Sequence, residues 1–261
     1  MIRVVFNQKG GVGKSSIATN LAAISADRGN ATLLIDLDAQ CNSSQYIMGD
    51  DLPDEENTIA DFFARSLKIG GKKAPLDYIS TTEIPNLHII PSHPELAELQ
   101  SRLETKHKIF KLRDFLQTLQ KTYDHIYIDT PPAFNFYTLS ALIGADSVLI
   151  PFDCDDFSRR ALYTLIENLE ETREDHNESL HLEGIIVNQF QPRAKQPARV
   201  IAELEQEGLP LLGNRLGASV VMRESHEACQ PLVYFAPSHK LTSQFNALYD
   251  ELEKRSKRKK R

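Results

Sequence analysis

The stretch IRVVFNQKGGVGKSS, residues 2–16, sets a short apolar run directly against a glycine-rich turn. An apolar run of this length, bounded by a turn signal, reads as a buried strand over 2–6. Beyond the turn, Ile17, Leu21 and Ile24 share one face of a helical pattern that Gly29 and Asn30 stop. Strand, glycine-rich turn and helix form the context in which the pattern G-x-x-x-x-G-K-[ST] binds phosphate. The glycines let backbone N–H groups converge on the oxygens, and the helix N-terminus adds its positive end. Gly13, Lys14 and Ser15 fit the pattern, but Gln8 stands in its first glycine slot, and Lys9 adds a second cation ahead of Lys14.

The alternation continues along the chain. ATLLID (31–36), LHIIP (87–91), HIYIDTPP (125–132), SVLIPF (147–152) and LEGIIVN (182–188) read as further buried strands. Helical patterns at 95–104, 108–121, 158–173 and 196–207 separate or follow them. Such a sequence predicts an α/β fold, a doubly wound and mainly parallel sheet flanked by helices, with ligands beyond the carboxyl ends of the strands. Residues 50–80, with acidic DDLPDEEN and basic KIGGKKAP, belong at an edge. A last helix over 240–254 carries Leu241, Phe245, Leu248 and Leu252 as an apolar stripe. The length of 261 residues suits one domain of this class, taken as 1–253, with 254–261 as a basic, disordered tail.

Composition narrows the function classes. Apolar content of 41% and charge of 25% are ordinary for a globular protein. No apolar run nears the roughly 18 residues that span a bilayer, and the opening run is too short for a signal peptide, so a cytoplasmic location is expected. Cys41, Cys154 and Cys229 are scattered singly, which supplies neither a disulfide framework nor a CxxC pair. The net charge of −6 hides an asymmetry, since residues 254–261 carry seven cations and leave −13 on the rest. Such a block is either a solvated end or a polyanion-binding arm.

In this frame Lys14 should bridge the β- and γ-phosphates and the Ser15 hydroxyl should ligate Mg²⁺. Asp36 closes the second strand, Asp38 follows it, and Asp129 ends IYID, where a Walker B aspartate orients the water shell of the metal. Strand-end aspartates are also turn formers. Together with the phosphate loop they define a magnesium–nucleotide site.

These residues carry a resemblance. The loop KGGVGKS (9–15) resembles the deviant Walker A motif of the ParA/MinD family of P-loop ATPases, and the likeness runs through LLIDLDAQCNSS (33–44), YIDTPP (127–132), LIPFDCDDFSRRAL (149–162) and ASVVMRESHEACQPL (218–232). It covers nearly the whole chain and is nearer to ParA-type (Soj-like) partition ATPases than to MinD. The resemblance implies ATP and Mg²⁺ as cofactors, held by Lys9, Gly10, Gly11, Val12, Gly13, Lys14, Ser15 and Ser16, with Asn188 at the adenine. It implies that Lys9 crosses a two-fold interface to the nucleotide of the other subunit, giving an ATP-sandwich homodimer. Lys9, Lys14 and Asp38 then serve hydrolysis, with Asp38 positioning the attacking water. Ser15 touches the metal directly, and Asp36 and Asp129 act through water. The chain departs from the family at Ala39, where proline is usual, and at Cys41, where glycine is. A non-glycine residue at 41 is expected to resist φ > 0 and so to change that loop.

The resemblance further implies ATP-dependent, non-specific DNA binding on the nucleoid through cations such as Arg193, Lys195, Arg199, Arg215 and Arg223, with the tail added. A ParB-like or other adaptor would stimulate slow hydrolysis while the cargo, a plasmid, chromosome origin or protein complex, is moved. Fold and motif fix the ATPase but not the freight. A MinD-like cycle on a membrane is the alternative. It needs a terminal amphipathic helix, and beyond Leu252 the tail has no apolar residue, so insertion is not expected. A cluster carrier such as the nitrogenase iron protein shares the deviant loop but needs paired cysteines, and nothing after Asp129 could supply them. A scaffold that binds nucleotide only to dimerise would not need Lys14, Ser15, Asp38 and Asp129 intact. With the first strand at residue 2, no N-terminal helix-turn-helix domain is expected.

Overall fold

A computed structural model of the chain describes residues 1–71, 73–154, 156–191 and 195–259. One sheet of seven strands organises it: β1 (Ile2–Val5), β2 (Thr32–Asp36), β3 (Ser80–Thr81), β4 (Leu87–Ile90), β5 (His125–Asp129), β6 (Ser147–Asp153) and β7 (His181–Asn188). Their order is β3-β4-β2-β5-β1-β6-β7. All neighbours pair in parallel except β3, which runs antiparallel to β4 at one edge. The six strands expected from sequence are all present. The seventh, β3, is a two-residue Ser-Thr piece with no apolar run to signal it.

The parallel strands alternate their apolar residues between two cores. Val4, Leu33, Ile35, Ile128, Ile150 and Ile185 face one layer, which contains α3 (Ile59–Ser66), α4 (Leu96–Thr105), α5 (Lys111–Leu119), α6 (Phe136–Gly144), α7 (Asp156–Asp175) and α8 (Lys195–Gln206). Val5, Leu34, Tyr127, Leu149 and Ile186 face the other, built by α1 (Lys14–Asp27), α9 (Val220–Glu227), α10 (Leu232–Phe235) and α11 (Lys240–Lys259). The short α2 (Asn42–Met48) follows β2. Helix α3 lies inside residues 50–80, where the sequence reading names two charged segments and no helix. Thr58 caps it by accepting from the Asp61 N–H at 3.2 Å, and Phe63 buries its apolar face. Its eight residues are too few for periodicity to stand out against the charged loops on either side.

The α1/α11 face of the sheet also holds a buried cation. Arg3, on β1, is 0% exposed. Its Nε and Nη2 donate to the two Glu183 carboxylate oxygens at 2.9 and 3.1 Å, Nη1 donates to Tyr127 OH and Glu253 at 3.1 Å each, and Nη2 also donates to Ser256 Oγ at 2.9 Å. All five guanidinium donors are thereby used. Burial alone disfavours the charge, but the oxygens of Tyr127, Glu183 and Glu253 outweigh it and hold Arg3 above its ordinary pKa. Glu253 and Ser256 belong to α11, and this corrects the expected domain limit: residues 254–259 continue the helix rather than forming a disordered tail. A partner for a buried strand arginine lies far away in sequence, so no local pattern could reveal it.

Replacing Arg3 by alanine strands Glu183 in the interior. Breaking such a pair costs about 3–5 kcal/mol, so urea unfolding of Arg3→Ala should show a loss of that size, and a loss under about 1 kcal/mol would refute the role. Burial raises the Glu183 carboxyl, but Arg3, with hydrogen bonds from Ser147 and Ser256, brings it below its ordinary 4.5. Its contribution is therefore complete above about pH 4.5 and lost as the pH falls below that. The gap between wild type and Arg3→Ala should narrow in acid.

Candidate functional site

The site forms where β1, β2 and β5 end and the 7–13 turn leads into α1. Gly11 and Gly13 adopt φ of 75° and 90°, in the left-handed region that a β-carbon disfavours. Gly13 is the N-cap of α1, and the first intrahelical bond runs from Ile17 N to Gly13 O at 2.9 Å. The N–H groups of Lys14, Ser15 and Ser16 thus precede the helical ladder and are available to an anion. A β-carbon on Gly13 would also collide with the Asn188 amide. Asn188 and Gln189 bind the turn from β7, donating to Val12 O and Gly11 O, each at 2.8 Å. In this structure the Asn188 amide therefore buttresses the loop. Gln189 plays the same part, and no motif marks it.

The two lysines have different surroundings. Lys14 is 7% exposed and donates from Nζ to Lys9 O at 3.1 Å, so its charge stays inside the turn. Burial lowers its pKa, while Asp129 and Asp38 act in the opposite sense. Lys9 is half-buried and points to the end of β6, where Nζ lies 2.6 Å from Asp153 Oδ2. Asp153 sits in the stretch that carries the family likeness, yet nothing in the sequence marks it as a partner for Lys9.

Beneath the turn lie two buried carboxylates. Asp36 and Asp129 are register neighbours on β2 and β5, and both are 0% exposed. Asp36 accepts from Ser44 N at 2.9 Å, Ser44 Oγ at 2.7 Å and Asp38 N at 3.0 Å. Asp129 Oδ2 accepts from Ser43 Oγ at 2.8 Å, and the nearby Ser15 hydroxyl favours the ionised form of this carboxylate. Its Oδ1 is buried without any partner. Burial first, and then the Asp129 charge, push Asp36 up to about 7. Burial likewise pushes Asp129 up to about 6, against the opposing Ser15, Ser43 and Lys14. An orphaned carboxylate oxygen beside a serine hydroxyl is what a hard divalent cation, with its waters, would satisfy. Among the described residues no group of three or more His, Cys, Asp or Glu makes a complete metal cage, which suits an ion that keeps much of its own hydration. Ser43 and Ser44, in the first turn of α2, hold the pair, and a serine in a helix carries no pattern that announces such a role.

Asp38 lies at the turn after β2, with Oδ1 accepting from Gln40 N at 3.0 Å, and lines the same cavity as Lys14 and Ser15. That cavity has a volume of 910 Å³. The expectation that Cys41 resists φ > 0 is corrected: Cys41 takes φ 57° and ψ 27°. Its N–H donates to Asp38 O at 2.9 Å and its carbonyl receives Gln45 N at 2.8 Å, starting α2. These two bonds hold the strained residue, at a cost on the order of 1 kcal/mol, and the loop keeps its turn.

The described residues give the surroundings of three of the five cations expected to contact DNA. Arg193 lies outside the described residues, and Lys195 opens α8 with its side chain also outside them. Arg199 lies 3.8 Å from Glu203. Arg215 stacks on Phe190 at 5.0 Å and is 3.7 Å from Glu205. Arg223, on α9, is exposed at the cavity wall.

Because an ionised buried carboxylate costs stability that Lys14 offsets only in part, the metal-free protein should lose stability as the pH rises through the Asp129 and Asp36 values. Asp129→Asn should therefore raise the melting temperature of the cation-free protein at pH 8 by about 2–4 °C. It should also remove the added stabilisation that magnesium with ADP gives wild type. Calorimetry that finds the asparagine variant less stable without cation would contradict this reading of the pair.

A family model described as an AAA domain matches residues 1–182. The chromosome partitioning protein ParA of Myxococcus xanthus is 34% identical over 201 residues, which is 77% of this chain and 69% of the relative. The apo structure of McdA from Cyanothece superposes with a TM-score of 0.84 at 20% identity, covering 96% of this chain and 98% of that one. Cobyrinic acid a,c-diamide synthase of Mycobacterium smegmatis, with bound ADP and magnesium, superposes with a TM-score of 0.82 at 21% identity, covering 98% and 95%. At such identities the two structures bear on the fold alone. Sequence match and fold agree, and the chain belongs to the ParA/MinD family of P-loop ATPases.

Proposed function

We propose that this chain is a magnesium-dependent ATPase that dimerises around ATP, binds DNA without sequence preference and positions a cargo, hydrolysing ATP when an adaptor stimulates it. In this reading Lys14 and the N–H groups of residues 10–16 bind the phosphates. The Ser15 hydroxyl would ligate magnesium, with Asp36 and Asp129 holding its water shell and Asp38 the attacking water. The metal supplies charge neutralisation at the phosphates. Location on the nucleoid follows from DNA binding and is part of the same proposal.

The observation that carries the reading is the division of labour between the lysines. Lys14 is buried in its own loop, whereas Lys9 is held at the rim by a carboxylate. The Lys9 and Asp153 side chains are 35% and 24% exposed, and ion pairs this close to solvent are worth about 0–1 kcal/mol. A triphosphate presented by a second subunit would outcompete Asp153 for the same ammonium, as an arginine finger supplied in trans does. The MinD-like alternative gains nothing from α11: beyond Leu252 its described side chains include Lys254, Arg255 and Lys257 and no apolar residue.

Light scattering with a non-hydrolysable ATP analogue and magnesium should double the mass of wild type and leave Lys9→Ala monomeric, although that variant still binds nucleotide. Lys14→Ala should lose nucleotide binding itself. A Lys9→Ala protein that dimerises like wild type would sink the trans role.

Wild type loaded with the analogue should bind random-sequence duplex DNA, and the affinity should fall at least tenfold between about 50 and 200 mM salt. Binding that ignores nucleotide, or sedimentation with anionic vesicles in place of DNA, would overturn the DNA assignment.

A further inference from the structure

The segment 218–232 carries a histidine that the phosphate-binding reading leaves without a task. His226, in the last turn of α9, reaches across to the first turn of α1, where its Nε2 lies 2.9 Å from Ser16 Oγ. Both residues line the cavity that contains Gly13, Lys14 and Ser15.

The ring is held in place from several directions. Tyr46 of α2 stacks on it with ring centroids 3.8 Å apart and planes 16° from parallel. Tyr46 is in turn fixed by Asn20 Nδ2, which donates to its hydroxyl at 3.2 Å, and by a short hydrogen bond with Ser225 Oγ. Asn20 also donates to Ser16 O at 2.8 Å and accepts from Leu232 N at 2.8 Å. Ser16 and His226 are thus the contact point of a network joining α1, α2, α9 and α10. A histidine needed only to fill space would not require its ring edge to be aimed at a hydroxyl in the anion-binding turn.

A serine hydroxyl has one proton and can accept in return. A phosphate oxygen only accepts. If Ser16 is to donate to phosphate, the neighbouring imidazole cannot take that proton and must itself be the donor. Burial lowers the His226 pKa, so the ring is neutral and carries its one N–H on a single nitrogen.

We propose that His226 is a positioning residue for the phosphate loop: its Nε2–H donates to Ser16 Oγ, commits the Ser16 proton to a phosphate oxygen, and ties α9 to the occupied cavity. This rests on the reading of the cavity as a nucleotide site. The residue touches no nucleotide itself and acts through Ser16.

The test is equilibrium binding of a fluorescent, non-hydrolysable ATP analogue with magnesium. His226→Ala should weaken binding about five- to tenfold, the size of one lost hydrogen bond. His226→Gln, whose amide places an N–H near the same point, should return to within about twofold of wild type. Ser16→Ala should lose as much as His226→Ala, and the double variant should lose no more than either alone, because residues acting through one contact are not additive. If His226→Ala is unfolded, the glutamine and Ser16 variants decide, together with nitrogen NMR of wild type, where the Nε2–H tautomer is expected in the nucleotide-bound state. Binding by a folded His226→Ala within twofold of wild type, an equal further loss on the Ser16→Ala background, or the Nδ1–H tautomer with nucleotide bound would each overturn the proposal. Lys14→Ala is the control for the cavity: wild-type affinity there would refute the nucleotide reading itself, a result distinct from any of these.

Discussion

Asp36, Asp129 and Lys14 are held almost out of water beneath one glycine-rich turn, and the rest of the site is arranged around the cost of keeping them there. Two carboxylates on adjacent parallel strands repel each other, and one lysine with a backbone carbonyl for a partner does not neutralise both. Serines from the first turn of α2, Ser43 and Ser44, supply donors on one side. On the other side the Asp129 oxygen has no donor at all. A folded protein retains such a defect where it has a use, and under the proposed function that use is a cation carried in with a phosphate ligand.

Much of this arrangement is legible in the order of the amino acids. Buried parallel strands are near-continuous apolar runs, so IRVV, TLLID, LHII, HIYID, SVLIPF and LEGIIVN stand out, and with them the sheet and the end at which a ligand binds. The phosphate loop is legible because its backbone conformation demands glycine at fixed places. What stays hidden is fixed by distant partners or by chemistry without a pattern. Ser43 and Ser44 in α2 and Gln189 after β7 are ordinary polar residues whose importance comes from the carboxylates and carbonyls they meet. At Cys41 a residue-level rule about φ fails because it takes no account of the two hydrogen bonds that hold the turn.

The C-terminal helix shows the same limit in reverse. A run of cations taken alone suggests a solvated end, but Glu253 and Ser256 close the coordination of Arg3 at the opposite end of the sequence, and the helix persists because that buried guanidinium needs them. Residues 257–259, all basic, are therefore carried on an anchored helix. Arg3 and the carboxylate pair lie at opposite ends of parallel strands: one charge cluster is fully satisfied and structural, the other is left incomplete at the strand ends where ligands are received.

The central claim, that the carboxylate pair waits for a cation, is tested most directly by proton release on binding. Magnesium with ADP, titrated calorimetrically in two buffers of different ionisation enthalpy, should release protons near pH 6.5, since the cation forces both groups to ionise. The release should fade by about pH 8.5, where they are already charged. Binding with no proton release near pH 6.5 would mean that Asp36 and Asp129 are ionised without the cation, and would contradict the account.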